Sequence, residues 1–166
     1  WERLEPALAR LPGGLDRVLV AESRSLWSEC FRDGDGGRMV TLTRSYEFSA
    51  AHRLHGEGLS EAENQELFGK CNNPHGHGHN YVLEVTVSGE IDARTGYVMD
   101  LGRLRDVVER EVIERADHRN MNIDVDFMRG VIPTAENIVV QCWRAIEPHV
   151  APARPARLRL WETENN

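Results

Sequence analysis

Two histidines, His77 and His79, lie at the start of a stretch that alternates apolar and polar residues from Asn80 to Val87. Such alternation is typical of a half-buried strand, in which residues two apart project from the same face. The two imidazoles can therefore bind one metal ion together, and Gly78 adds no bulk between them. A complete metal site needs at least one further ligand, such as a third histidine nitrogen.

His52 is the best candidate for that third ligand, because it ends a second alternating stretch that begins at Val40. Three neutral imidazoles with no fourth protein ligand leave zinc an open position for water or a substrate hydroxyl, which is the pattern of a catalytic site. Cys71, six residues before His77, could instead be a fourth ligand and make the zinc structural. The spacing alone leaves both alternatives open.

The motifs around these residues resemble the 6-pyruvoyl-tetrahydropterin synthase family, which includes the bacterial 6-carboxytetrahydropterin synthases. The first two motifs are Phe48-Ser-Ala-Ala-His-Arg-Leu54 and Cys71-Asn-Asn-Pro-His-Gly-His-Gly-His-Asn-Tyr81. The others are Asp117-His118, Pro133-Thr-Ala-Glu-Asn137 and Trp161-Glu-Thr-Glu-Asn-Asn166. They occur in the family's order, so the resemblance extends from near Met39 to the last residue.

The resemblance implies a zinc site whose three ligands are His52, His77 and His79. It implies that Cys71, as a thiolate, is the base that moves protons on the substrate side chain. Asp117 and His118 match the family's proton-transfer pair and would serve the opposite face of the substrate. Without the resemblance, an adjacent aspartate and histidine are more often a capping or surface pair, although the carboxylate would favour the charged imidazole.

Three further residues match family positions near the pterin. Alternation places Glu162 on the same face of the last strand as Leu158 and Leu160. That face is predicted to be buried, and a buried carboxylate needs a partner. The resemblance implies that Glu162 binds the 2-amino-pyrimidinone edge of the pterin; an arginine salt bridge is the structural alternative. Thr134 is a predicted helix N-cap with Glu136 in the first turn, and capping and binding roles can coexist there.

The implied activity is that of a zinc-dependent lyase that converts 7,8-dihydroneopterin triphosphate to 6-pyruvoyl-tetrahydropterin with loss of triphosphate. The first alternative is a 6-carboxy-5,6,7,8-tetrahydropterin synthase acting on the same substrate in the queuosine route. The second alternative is a non-catalytic pterin-binding domain of a tandem protein. No external redox cofactor is required, because the reaction is an internal redox shift.

The order of predicted elements is strand, long loop, strand, helix, loop, helix and strand, which indicates an α+β fold. Residues Leu54 to His75 show little periodicity and are predicted to be the long loop, and Tyr97 to Met99 are predicted to be extended. Asp100 and Thr134 are predicted to cap the two helices, with Cys142 in the core. The resemblance implies the tunnelling fold, an antiparallel sheet with two helices on one face, assembled into a trimeric or hexameric oligomeric barrel.

Composition excludes several classes of function. A net charge of −7 argues against nonspecific nucleic-acid binding, and no apolar run approaches the roughly twenty residues of a membrane span. The 166 residues predict one ordinary core. Three cysteines without a repeated spacing predict a reducing, cytoplasmic location rather than a disulfide framework.

Residues 1–37 echo the end of the chain. Trp1-Glu-Arg-Leu-Glu-Pro6 followed by Arg17-Val-Leu-Val-Ala-Glu22 parallels Trp143-Arg-Ala-Ile-Glu-Pro148 followed by Arg157-Leu-Arg-Leu-Trp-Glu162. The echo predicts that residues 1–37 are the closing helix and strand of a preceding repeat plus a linker. Residues 38–166 are then the pterin synthase-like domain, and the resemblance implies that its last strand is missing.

Overall fold

The computed structural model describes residues 4–9, 14–32, 34 and 37–163. Its strands are β1 (Arg17–Ser23), β2 (Leu26–Arg32), β3 (Arg38–His52), β4 (His77–Ser88), β5 (Arg119–Asn120) and β6 (Arg154–Trp161). Its helices are α1 (Leu4–Leu8), α2 (Glu61–Phe68), α3 (Leu101–Val108) and α4 (Ala135–Ile146). Helix α3 continues through a π-helical turn, Glu109–Ile113, into a last turn, Glu114–Ala116.

The strands form one sheet in the order β1-β2-β3-β4-β6, and every neighbouring pair in that order is antiparallel. The two-residue β5 pairs in parallel with the end of β3. The longest ladder joins β3 to β4 from the Thr41–Ser88 pair to the His52–His77 pair. The predicted α+β fold with an antiparallel sheet is therefore confirmed.

The core lies between one face of the sheet and the helices. Alternate residues of β3 and β4 supply the sheet side: Leu42, Tyr46, Phe48, Tyr81, Leu83, Val85 and Val87. The helical segments supply the other side, which includes Leu104, Val107, Val108, Val112, Ile138, Cys142 and Ile146. Each fully buried aliphatic side chain contributes about 1.5–3 kcal/mol to folding. Burial raises the pKa of the Cys142 thiol to about 12, which agrees with its predicted role as a small core residue.

The segment from Leu54 to His75 is not the structureless loop that its weak periodicity predicted. It contains α2 and a 3₁₀ turn, Gly69–Asn72. The Ser60 and Glu63 side chains form a capping box that starts α2. The buried Asn64 amide bonds to the backbone of Gly56 in both directions and so ties the helix to the preceding turn.

The predicted number of helices was also too small. The structure has α2 in addition to the two predicted helices, α3 and α4, in the described part of the domain. Helix α2 leads directly into the 3₁₀ turn that carries Cys71. The predicted extended run from Tyr97 to Met99 is a bend and not a strand. No helix in the described ranges is both long and apolar enough to cross a membrane.

The amino-terminal region contains the predicted helix and strand, as α1 and β1, and also an unpredicted strand. Strand β2 pairs with β1 on one side and with the first half of β3 on the other. Residues 1–3, 10–13, 33, 35 and 36 of the predicted repeat end and linker lie outside the described residues, as do residues 164–166 of the last motif. The origin of this region in a preceding repeat stays a prediction.

Candidate metal centre and active site

The register of β3 against β4 brings the three predicted histidine ligands together. His52 lies opposite His77, and Ala50 lies opposite His79, so all three imidazoles project from one face of the sheet. Their ring centroids are 4.5 to 5.0 Å apart. One ligand atom from each residue lies within 4.8 Å of the others. Two strands with period-two geometry therefore build the whole cluster.

Gly76 allows the end of β3 to approach the start of β4. Its φ of +72° lies in the left-handed region, and a Cβ atom built on it would be 3.0 Å from the His52 carbonyl oxygen. Any larger residue would push the two strands apart where two ligands face each other. The neighbouring His75 is exposed and lies outside the cluster.

A backbone carbonyl fixes the orientation of His52. The side chain is 1% exposed, and its Nδ1–H donates to the Pro133 carbonyl at 2.7 Å. This bond leaves the Nε2 lone pair for the cluster, where His77 Nε2 lies 3.0 Å away. Metal-binding histidines commonly use the second ring nitrogen in this way. The start of α4, which follows Pro133, therefore supports the metal centre.

The cluster fits a zinc ion. The buried His77 Nδ1 and His79 Nε2 atoms have no hydrogen-bond partner among the described residues, which is costly for polar atoms unless another group binds there. Three imidazole nitrogens are a common donor set for catalytic zinc. The Cys71 sulfur is not part of the cluster in the described structure. The geometry therefore favours a three-histidine site over a structural site with cysteine as fourth ligand.

Glu162 approaches the same cluster from β6. Its Oε1 atom lies 3.3 Å from His52 Nε2 and 3.7 Å from His79 Nε2, and its side chain is 16% exposed. The Tyr81 hydroxyl donates to the same carboxylate oxygen at 3.3 Å. The Tyr81 hydroxyl is thus the hydrogen-bond donor to this half-buried carboxylate, in place of the arginine that the structural alternative required.

Tyr81 is a site residue that the sequence reasoning missed. It is fully buried, and its hydroxyl lies 3.3 Å from His52 Nδ1 as well as from Glu162. Burial and the adjacent Glu162 raise the pKa of Tyr81 far above its ordinary value, so the hydroxyl remains a neutral hydrogen-bond donor. Its position two residues after His79 on an alternating strand is the signal that predicts a shared face.

Asp117 and His118 lie beside the edge of β3 that does not pair with β4. The Asp117 carboxylate accepts from the Ser49 backbone N–H at 2.8 Å and lies 2.8 Å from His118 Nδ1. The Ser49 bond, more than the imidazole, lowers the pKa of Asp117. His118 has a φ of +56°, a rare conformation for a residue with a side chain, and its side chain is 81% exposed. The pair is thus held by a strained backbone with its imidazole outward.

No hydrogen bond or ion pair among the described residues joins His118 to the three-histidine cluster, and the catalytic role of Asp117 and His118 stays a prediction. His118 does line a shallow depression of about 440 Å³ together with His79 and Asn80. Cys71 is half-buried in its 3₁₀ turn, and its carbonyl accepts from the Leu54 N–H, two residues beyond His52. That bond ties the turn to the end of β3.

Thr134 caps α4 as predicted, since its hydroxyl accepts from the Asn137 N–H at 3.3 Å. Glu136 is exposed, and hydrogen bonds from its own backbone N–H and the Thr134 hydroxyl lower its pKa. Both side chains thus stabilise the helix start next to Pro133, the residue that orients His52. Their contact with a pterin stays a prediction.

Acid should destabilise the metal-free chain through its histidines. Burial lowers the pKa of His52 and of His77, so folding opposes protonation that the unfolded chain accepts near pH 6.5. The free energy of unfolding is therefore expected to fall as pH drops below about 6.5. Urea unfolding in excess chelator at several pH values tests this. The dependence of the unfolding free energy on pH should weaken in His52→Gln and not in the exposed control His75→Gln. Equal pH dependence in the two variants would contradict the role of buried His52.

The chain is similar in sequence to proteins of one known family. Residues 41–166 match the family model for 6-pyruvoyl tetrahydropterin synthase. The human 6-pyruvoyl tetrahydrobiopterin synthase is 42% identical over 135 residues, an alignment that covers 81% of this chain and 93% of the human protein. The match leaves β1 and β2 outside the family region.

A solved structure and a more distant relative extend the comparison. The structure of Caenorhabditis elegans 6-pyruvoyl tetrahydropterin synthase is 43% identical, has a TM-score of 0.73, and covers 77% of this chain and 91% of that one. The Rickettsia felis 6-carboxy-5,6,7,8-tetrahydropterin synthase is 29% identical over 145 residues, covering 76% of this chain and 96% of that protein. Similarity to the pyruvoyl type is therefore higher than similarity to this carboxy-type enzyme.

Proposed function

We propose that this chain, which belongs to the 6-pyruvoyl tetrahydropterin synthase family, converts 7,8-dihydroneopterin triphosphate to 6-pyruvoyl-tetrahydropterin with release of triphosphate. The observation that carries the proposal is the convergence of three histidines and Glu162 at one end of the sheet. Identity of 42% to a synthase of that name supports the choice of reaction.

The metal in this proposal is zinc, held by His52, His77 and His79. Bound zinc would supply Lewis-acid chemistry, polarising the substrate's side-chain hydroxyls and making the neighbouring protons more acidic. His52 keeps its metal-binding nitrogen free because Pro133 accepts the proton on the other one. The buried Tyr81 hydroxyl would help to orient the Glu162 carboxylate by donating a hydrogen bond to it.

The remaining roles belong to groups around the cluster. Cys71 would take protons from the substrate side chain, and its turn is held close to the end of β3 by the Leu54 hydrogen bond. Asp117 orients the His118 imidazole through Nδ1, leaving Nε2 to exchange a proton with bulk solvent or substrate. Glu162 would bind the amino-pyrimidinone edge of the pterin through charge-assisted hydrogen bonds.

Replacing Glu162 with glutamine is expected to weaken substrate binding by about 10- to 100-fold while zinc remains bound, because a charge-assisted hydrogen bond is worth about 1.5–3 kcal/mol. Steady-state kinetics and metal analysis of the same sample measure both quantities. Glu114→Gln, an exposed position at the end of the α3 extension, is the matched control. An unchanged KM would remove the anchoring role, and lost zinc would make Glu162 a metal ligand.

A second candidate product is 6-carboxy-5,6,7,8-tetrahydropterin. The observation behind it is the 29% identity to the Rickettsia felis enzyme. Mass spectrometry of the products formed by the zinc-loaded protein separates the two reactions. The pyruvoyl product supports the proposal, whereas the carboxy product with released acetaldehyde places the chain with the second enzyme. Bound zinc without turnover would favour a pterin-binding module.

The proposal includes a homo-oligomer in the cytoplasm. Within the described residues, the outer strands β1 and β6 are each paired on one side only, and pairing between protomers would cover such edges. All three cysteines are free thiols, in keeping with a reducing compartment. Analytical ultracentrifugation of the zinc-loaded protein tests whether trimers or hexamers form.

A further inference from the structure

The amino-terminal hairpin, defined as β1 and β2, continues a pattern that the end of the chain also shows. Arg17 to Glu22 in β1 corresponds to Arg157 to Glu162 at the end of β6, and Leu4-Glu-Pro6 corresponds to Ile146-Glu-Pro148. The structure gives both stretches the same elements, since a helical segment at the proline precedes each strand. The sequence echo is therefore also an echo of structure.

The two strands also present equivalent faces. The register places Val18 and Val20 on the face of the sheet that carries Leu42, which is the core face. In β6, Leu158 and Leu160 lie on that same face. Glu22 follows Val18 and Val20 at the same interval at which Glu162 follows Leu158 and Leu160. The apolar alternation and the side of the sheet therefore agree between Val18–Val20 of β1 and Leu158–Leu160 of β6.

The two strands differ in how far helices cover their core face. Helix α4 packs on β6 and half-buries its two leucines. The corresponding face of β1 is less covered in the described residues, since Val18 is half-buried but Val20 is 62% exposed. An apolar strand face on the helix side of a sheet is ordinarily covered by helices, because each such side chain gains about 1.5–3 kcal/mol from burial.

We propose that residues 4–32 are the closing part of a preceding unit with the same fold as residues 41–166, and that helices of that unit cover the Val18–Val20 face. The pairing of β2 with β3, from Leu26–Arg44 to Arg32–Arg38, is then the junction between the two units. The two units share one continuous sheet, with β2 as the last strand of the first unit.

The extent of the family match supports this assignment independently. Residues 41–166 match the family model, and the alignment with the human relative, which spans 81% of this chain, already covers 93% of that protein. The hairpin is therefore additional to a nearly complete unit and is not its missing part. Glu29 of β2 is buried at the junction and lies 3.4 Å from Arg17, so the hairpin is packed as folded structure and not as a simple linker.

The intact mass and sequence of the polypeptide, isolated from its source, give the first test. The proposal requires a second unit before residue 1, with an alternating His-x-His strand and two long helices. An unrelated or missing preceding region overturns it. This outcome is independent of the proposed reaction, because neither zinc content nor turnover enters the measurement.

Cysteine labelling of the full-length polypeptide tests the contact itself. Val20→Cys should react with a thiol reagent at least about tenfold more slowly there than in the 166-residue chain, because helices would cover it. Ile123→Cys, at a position 77% exposed, is the control and should label equally in both. Peptide mass spectrometry separates these sites from the native cysteines. Equal labelling of Val20→Cys in both chains overturns the proposed cover.

Discussion

Replacing His77 with alanine is expected to lower zinc affinity by more than about 100-fold and to abolish turnover, since loss of a ligand exceeds the 10- to 100-fold cost of losing a ligand's supporting contact. His77 is the sharpest choice among the three ligands. His52 is fully buried and bonded to Pro133, so its truncation would also damage folding. Metal analysis after dialysis, followed by competition with a chromogenic chelator, measures the affinity.

His75→Ala is the matched control, because His75 lies two residues earlier on the same segment but is exposed and outside the cluster. It should retain zinc and turnover. Circular dichroism must show both variants folded. Normal zinc affinity in His77→Ala would contradict the three-histidine site, and zinc loss in His75→Ala would show that the cluster recruits a different ligand.

Strand periodicity made the ligands of the metal cluster predictable. His77 and His79 share a face by their spacing, and the alternating stretch before His52 ends at the matching position. The register that sets His52 opposite His77 could not be derived in the same way, because strand pairing depends on the packing of the whole sheet. The Pro133 carbonyl that orients His52 has no sequence signal, since every residue carries such a group.

The errors have local physical causes. Helix α2 buries only Asn64 and leaves Leu67 exposed, so it lacks the apolar periodicity by which helices are usually predicted. Its capping box, Ser60 with Glu63, was the available signal. Strand β2 was missed because Leu26, Trp27 and Ser28 do not alternate, and it is defined by pairing with β1 and β3.

The positions of Asp117 and His118 show a different limit. The sequence indicated their partnership, and the structure gives it as a 2.8 Å contact. Their placement on the far edge of β3 depends on the Ser49 backbone bonds, which the sequence does not reveal. A motif can therefore identify which groups interact without locating them relative to the metal.

Replacing Cys71 with alanine is expected to reduce kcat by about 10²- to 10⁴-fold while zinc binding is unchanged, because a positioned proton-transfer group contributes a factor of that size. The structure indicates that a loss of proton transfer can be separated from a loss of zinc binding. The Cys71 sulfur is outside the described metal cluster, and its turn is held by backbone bonds that alanine retains. Single-turnover kinetics with substrate in excess of its dissociation constant would show whether the chemical step is slowed.

Cys30→Ala is the matched control for this prediction, because Cys30 is a partly exposed free thiol in β2, far along β3 from the metal ligands. It should retain turnover and zinc. Loss of zinc from Cys71→Ala would identify the cysteine as a fourth ligand and convert the open catalytic site into a closed structural one. Full turnover with zinc bound would instead move proton transfer to another group, for which the Asp117–His118 pair is the nearest candidate on chemical grounds.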